Sequence, residues 1–65
     1  MQVIVNGRSL EARAATLAAL VDELGYSGAW FATAINGDFV PGPARPDVPI
    51  RQGDRIEILS PMQGG

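Results

Sequence analysis

Two Asn-Gly pairs, Asn6-Gly7 and Asn36-Gly37, decide most of what this chain can fold into. Such a pair accepts two consecutive positive φ angles, which a tight two-residue hairpin turn requires. The first pair separates the β-branched run Gln2-Val3-Ile4-Val5 from Ser9-Leu10-Glu11, predicting strands over about 1–5 and 8–12. The second follows Trp30 to Ile35, where bulky Phe31, Thr33 and Ile35 alternate with small Ala32 and Ala34. The chain then returns through Asp38-Phe39-Val40, which predicts a second hairpin.

Between the hairpins, Leu17, Leu20, Val21 and Leu24 fall at the i, i+3, i+4, i+7 spacing of a single apolar helical stripe. Thr16 stands where an N-cap belongs and Gly25 where a helix ends, so the spacing predicts a helix over about 17–24. Ala19 offers no capping-box partner, and Asp22 and Glu23 occupy the last turn, where the helix dipole disfavours acids. This helix therefore has to be held by packing against a sheet. A loop follows at Tyr26-Ser27-Gly28. Pro41, Pro43, Pro46 and Pro49 cannot donate ladder hydrogen bonds, so residues 41–49 read as an irregular loop. A turn at Gln52-Gly53-Asp54 leads into a final strand, Arg55 to Ser60, closed by Pro61. The expected order is ββαββ: one helix packed across one face of a mixed four-stranded sheet, with the first and last strands adjacent and parallel. That is an α+β fold of the ubiquitin-like β-grasp type, with residues 1–60 as the domain and 61–65 as a flexible C-terminal Gly-Gly tail.

A chain of 65 residues can bury only a small core, yet 46% hydrophobic against 18% charged residues suits a globular fold and not a disordered one. There is no cysteine and no histidine, which removes disulfides, thiolate chemistry and the commonest general base and metal ligand. A metal site is not expected. The five cations, Arg8, Arg13, Arg45, Arg51 and Arg55, are spread along a chain of net charge −2, which argues against nucleic acid as a partner. The longest apolar run, around Ala14 to Val21, is too short to span a membrane, so a cytoplasmic location is the default expectation.

The seven acids, Glu11, Asp22, Glu23, Asp38, Asp47, Asp54 and Glu57, are scattered and form no converging catalytic set. Neither Asn-Gly turn is followed by a helix or a lysine, so a phosphate cradle is the weaker reading of both. Trp30 is expected to be partly buried core, and Arg51 and Arg55 to solvate the surface. The ending Pro61-Met62-Gln63-Gly64-Gly65 is different. At a glycine frequency of about 7%, a terminal Gly-Gly arises by chance in roughly one chain in two hundred. Without Cβ atoms it is the thinnest backbone available, able to pass a narrow channel and deliver a main-chain carboxylate to a partner's nucleotide. Once adenylated, that carboxylate is open to displacement by a sulfur or nitrogen nucleophile, and the carrier needs no catalytic side chain of its own.

With Met1-Gln2-Val3-Ile4-Val5-Asn6-Gly7, Ala34-Ile35-Asn36-Gly37-Asp38-Phe39-Val40-Pro41, Gly53-Asp54-Arg55-Ile56-Glu57-Ile58 and Pro61-Met62-Gln63-Gly64-Gly65 in this order, the chain resembles the ThiS branch of the ThiS/MoaD sulfur-carrier family over nearly its whole length. The resemblance implies a carrier, not an enzyme, that binds no cofactor stably. An E1-like adenylyltransferase (ThiF) would adenylate Gly65 with Mg-ATP, and sulfur passed from a cysteine desulfurase would make the thiocarboxylate. Thiazole synthase (ThiG) would take that sulfur for the thiazole of thiamine. By position, Gly65 carries the sulfur, Gly64 gives the slim approach, and Pro61, Met62 and Gln63 form the arm that enters partner sites. The exposed sheet face near the tail, including Leu59 and Phe39, is the expected docking surface. Where members of the family often have an arginine and then a tryptophan after the Val-Pro of the second hairpin, this chain has Gly42-Pro43-Ala44-Arg45-Pro46.

Three other readings share these features: a ubiquitin-like protein modifier, a molybdopterin-synthase-type small subunit, and a non-covalent β-grasp binding module. The absence of lysine excludes ubiquitin-style chains through a side-chain amine.

Overall fold

The computed structural model describes residues 1–26 and 30–61. Its strands are β1 (Gln2–Val5), β2 (Arg8–Glu11), β3 (Ala32–Ile35), β4 (Asp38–Val40) and β5 (Arg55–Leu59), with one α-helix, α1 (Leu17–Glu23), between β2 and β3. They form one sheet in the order β2-β1-β5-β3-β4. β1 and β5 run parallel, as expected, and the other pairs are antiparallel. The sheet has five strands where the ββαββ order had four, because the two hairpins supply four strands, with Asp38–Val40 at the edge beside β3, and the closing strand β5 enters between β1 and β3 as a fifth. The expected loop at Tyr26-Ser27-Gly28 lies, from Ser27 on, outside the described residues.

Both hairpin turns have the geometry that Asn-Gly favours, with Asn6 and Gly7 at φ 51° and 82°, and Asn36 and Gly37 at 50° and 88°. Their side chains add something the turn rule does not contain. The Asn6 amide accepts from Ile58 N at 2.8 Å and donates to Ile58 O at 3.2 Å. Asn36 accepts from Arg55 N at 3.0 Å and donates to Asp54 Oδ1, also at 3.0 Å. The central strand β5 is therefore clipped near both ends, and the clip at Ile58 sits just before the residues that lead out of the domain.

Helix α1 begins as its sequence predicts, with the Thr16 hydroxyl accepting from Ala19 N at 3.2 Å. It ends in a Schellman motif: Tyr26 N reaches Val21 O and Gly25 N reaches Asp22 O. Glu23, placed unfavourably for the dipole, takes up backbone donors from the preceding segment, Ala14 N at 3.1 Å and Arg13 N at 3.3 Å. Leu17, Leu20 and Val21 are buried against Val3, Val5, Val40, Ile50, Ile56 and Ile58, which puts the core between helix and sheet.

The proline-rich stretch is more ordered than a loop of four prolines suggests. Gly42–Asp47 forms a 3₁₀-helix with proline near its start, where a missing N–H costs nothing. Arg45 fastens it to β3. Its Nε donates to Thr33 Oγ1 and its Nη2 to Phe31 O, both at 2.9 Å, and its guanidinium lies 4.1 Å from the Phe31 ring centre. Thr33, a polar residue buried to 2% exposure, is satisfied from both sides, because its hydroxyl donates to Val40 O at 2.8 Å. Arg45→Met should cost about 2 kcal/mol, the scale of lost charge-assisted hydrogen bonds with the ring contact. The thermal midpoint should fall by roughly 8–16 °C in a domain of this size. Arg45→Lys should recover little of it, since an ammonium cannot reproduce the fork; a lysine variant as stable as the parent in a melting curve would refute the fastening role.

Candidate functional site

Helix α1 covers one face of the sheet and leaves the other open. Which side chains stand on the open face follows from alternation: Val3, Val5, Thr33, Ile56 and Ile58 point to the core, so their neighbours point away. The ladder register places Ala32 opposite Leu59, and Ala34 opposite both Glu57 and Phe39. With only alanine between them, Leu59 and Phe39 stand clear of the surface, each 70% exposed. Both residues expected on a partner surface are thus on the open face.

Trp30 joins them. It was expected in the core, but it is 69% exposed and lies outside β3, which starts at Ala32. The reason is parity: Trp30 is two residues before Ala32 and four before Ala34, so extended backbone carries it to the open side while Thr33 turns inward. Trp30, Ala32, Leu59, Ser60 and Pro61 line a shallow apolar groove of about 280 Å³ at the end of β5. Exposed apolar side chains grouped in this way offer a partner a surface to cover.

Pro61 is exposed and is the last described residue; Met62, Gln63, Gly64 and Gly65, the remaining candidates of the tail, lie outside the described residues. A larger cleft of about 560 Å³ opens beside Ile4, Gly7, Gly37, Arg55 and Glu57. Its two charged residues are opposite in sign and exposed, and it is lined by no hydroxyl, thiol, imidazole or amine side chain. Glu57 is the one carboxylate among its lining residues, and no second acid or base of the lining stands with it as a catalytic pair. Among the described residues no cluster of three or more His, Cys, Asp or Glu could hold a metal ion, and no helix is long and apolar enough to cross a membrane.

The site is therefore a surface and an exit: an exposed apolar face on a clipped central strand, leading directly into the C-terminal segment. The ThiS family model matches residues 3–65. The sulfur carrier protein ThiS of Thermus thermophilus is 33% identical over 63 residues, which cover 97% of this chain and 98% of that protein. The crystal structure of the thiamine biosynthesis protein ThiS from Geobacter metallireducens superposes with a TM-score of 0.82 at 26% identity, covering both chains completely. A β-grasp domain with this topology, matched by the family model almost from end to end, belongs to the ThiS family of sulfur carriers.

Proposed function

We propose that this chain carries sulfur as a thiocarboxylate on Gly65 for thiazole formation in thiamine biosynthesis. In the first step a Gly65 carboxylate oxygen attacks the α-phosphorus of Mg-ATP in an E1-like adenylyltransferase of the ThiF kind, and pyrophosphate leaves. A persulfide charged by a cysteine desulfurase then displaces AMP from the acyl-adenylate to give an acyl disulfide. A partner's thiol attacks its outer sulfur, forming a disulfide there and releasing the Gly65 thiocarboxylate, which passes its sulfur to a ThiG-like thiazole synthase. Gly64 and Gly65 supply the slender approach, Pro61, Met62 and Gln63 the arm, and Leu59 and Phe39 the docking surface. An ATP-dependent cycle of this sort belongs in the cytoplasm.

The observation that carries this reading is the coupling of two features: a Gly-Gly ending and an apolar exposed face at the end of the strand that leads to it. The domain contributes recognition and the partner contributes the catalytic groups, which suits a chain without cysteine or histidine. Incubation with Mg-ATP, an adenylyltransferase and a sulfur source should raise the intact mass by the difference between one sulfur and one oxygen. Fragment spectra should map the gain to Gly65, and omission of ATP should abolish it. An unchanged mass from an enzyme set that is active on another ThiS carrier would reject the proposal.

A further inference from the structure

Trp30 is the largest side chain of this domain, and it is left in water. Among the described residues the ring contacts are those of Tyr26 with Phe31 and of Arg45 over Phe31, and Trp30 takes part in neither. It borders the groove with Leu59 and Pro61 over a floor of Ala32, and no charged residue lines that groove. Arg55 and Glu57 lie farther back along β5. Trp30, Leu59 and Pro61 are thus grouped at the exit of the chain, with the charged side chains of β5 set back from them, the arrangement of an apolar binding hot spot with polar groups at its margin.

Chain length determines what must cover the apolar end. Gly65 is four steps along the chain from Pro61, and even fully extended that span reaches about 14 Å. An enzyme that closes around the Gly65 carboxylate draws part of that length into its own interior. Its outer surface must then meet the domain at Pro61, and the groove is the surface around Pro61.

We propose that Trp30 is the residue by which the adenylating enzyme recognises this carrier: Trp30, Leu59 and Pro61 receive an apolar side chain of that enzyme at the mouth of the channel that takes the tail. This rests on the carrier reading above and adds to it a selectivity residue that belongs to the domain and not to the tail. Trp30 acts through binding alone. It never approaches the reacting carboxylate, so its loss should raise KM and spare kcat.

Carrier made with 5-fluorotryptophan gives one fluorine resonance, because the chain has one tryptophan. Titration with the unlabelled adenylyltransferase should shift that resonance to saturation. In ATP–pyrophosphate exchange, Trp30→Ala should raise KM for the carrier roughly 30-fold, the scale of a hot-spot residue, with kcat unchanged. Its melting temperature should match the parent, since the side chain is exposed. Normal exchange by Trp30→Ala at an unchanged KM would overturn the anchor and leave the carrier reading intact. No exchange with the parent carrier, by an enzyme active on another ThiS carrier, would remove both. A resonance that moves with carrier concentration alone would give the groove to a second copy, and one that moves when residues 62–65 are deleted would give it to the chain's own tail; either result overturns the proposal.

Discussion

Leu20→Ala should lower the free energy of unfolding by about 3 kcal/mol and the melting temperature by roughly 15 °C. Leu20 is completely buried at the middle of α1, on the face shared with Leu17 and Val21. Seven residues make two turns, far below the length at which a helix is stable alone in water, so α1 exists because this face is packed. Removing the side chain loses its transfer energy and leaves a cavity that a small core cannot collapse around. A domain of 65 residues has roughly 3–10 kcal/mol of stability in total, so the variant should lie close to its unfolding threshold at 37 °C. Urea titration followed by far-ultraviolet circular dichroism measures this, with Asp22→Ala on the exposed side of the same helix as a control expected within about 0.5 kcal/mol of the parent. A Leu20→Ala protein within about 1 kcal/mol of the parent would mean that α1 does not pack as described.

The parts of this fold that sequence reveals are those whose cause is local. Asn-Gly turns need two positive φ angles in a row, a requirement met within two residues, and both hairpins were legible for that reason. The helix stripe and its Thr16 cap were equally local. The second role of Asn6 and Asn36 was not, because it depends on β5 arriving between β1 and β3 from much later in the chain. Arg45 is the same kind of case: nothing in Gly42-Pro43-Ala44-Arg45-Pro46 announces that the arginine will stack on Phe31 and hold Thr33. Four prolines argued for irregularity, yet proline's fixed φ suits the start of a short 3₁₀-helix.

Trp30 shows a readable signal that was outweighed. Size and apolarity assign a tryptophan to the core, whereas the alternation of Ala32, Thr33 and Ala34 already put position 30 on the open face. In a domain with one helix, only one face of the sheet can be covered, and parity then outranks hydrophobicity. The same argument places Leu59 and Phe39 outside, on the face where they are expected. What the candidate site needs from the fold is thus an unfilled side, and β-grasp topology with a single helix provides it.

Gly64→Leu should reduce adenylation of the terminal carboxylate about 100-fold or more while leaving the melting temperature unchanged. The variant keeps the Gly65 carboxylate, the tail length and the whole docking face, so it separates two demands that deletion of the tail would confound. If the partner requires only an accessible carboxylate, a leucine at position 64 is harmless. If the tail must thread a channel shaped for bare backbone, the added side chain displaces the carboxylate from the nucleotide, and a misplacement of about 1 Å already costs about 100-fold in rate. Gly64 also loses access to positive φ in the variant, so any left-handed bend in the bound tail becomes strained. Pyrophosphate exchange at saturating carrier reads the effect directly, because the loss should fall on kcat, in contrast to the KM effect of Trp30→Ala. Exchange by Gly64→Leu at the parental rate would show that the glycine pair is not a threading device, and the recognition of this carrier would then rest on the domain face alone.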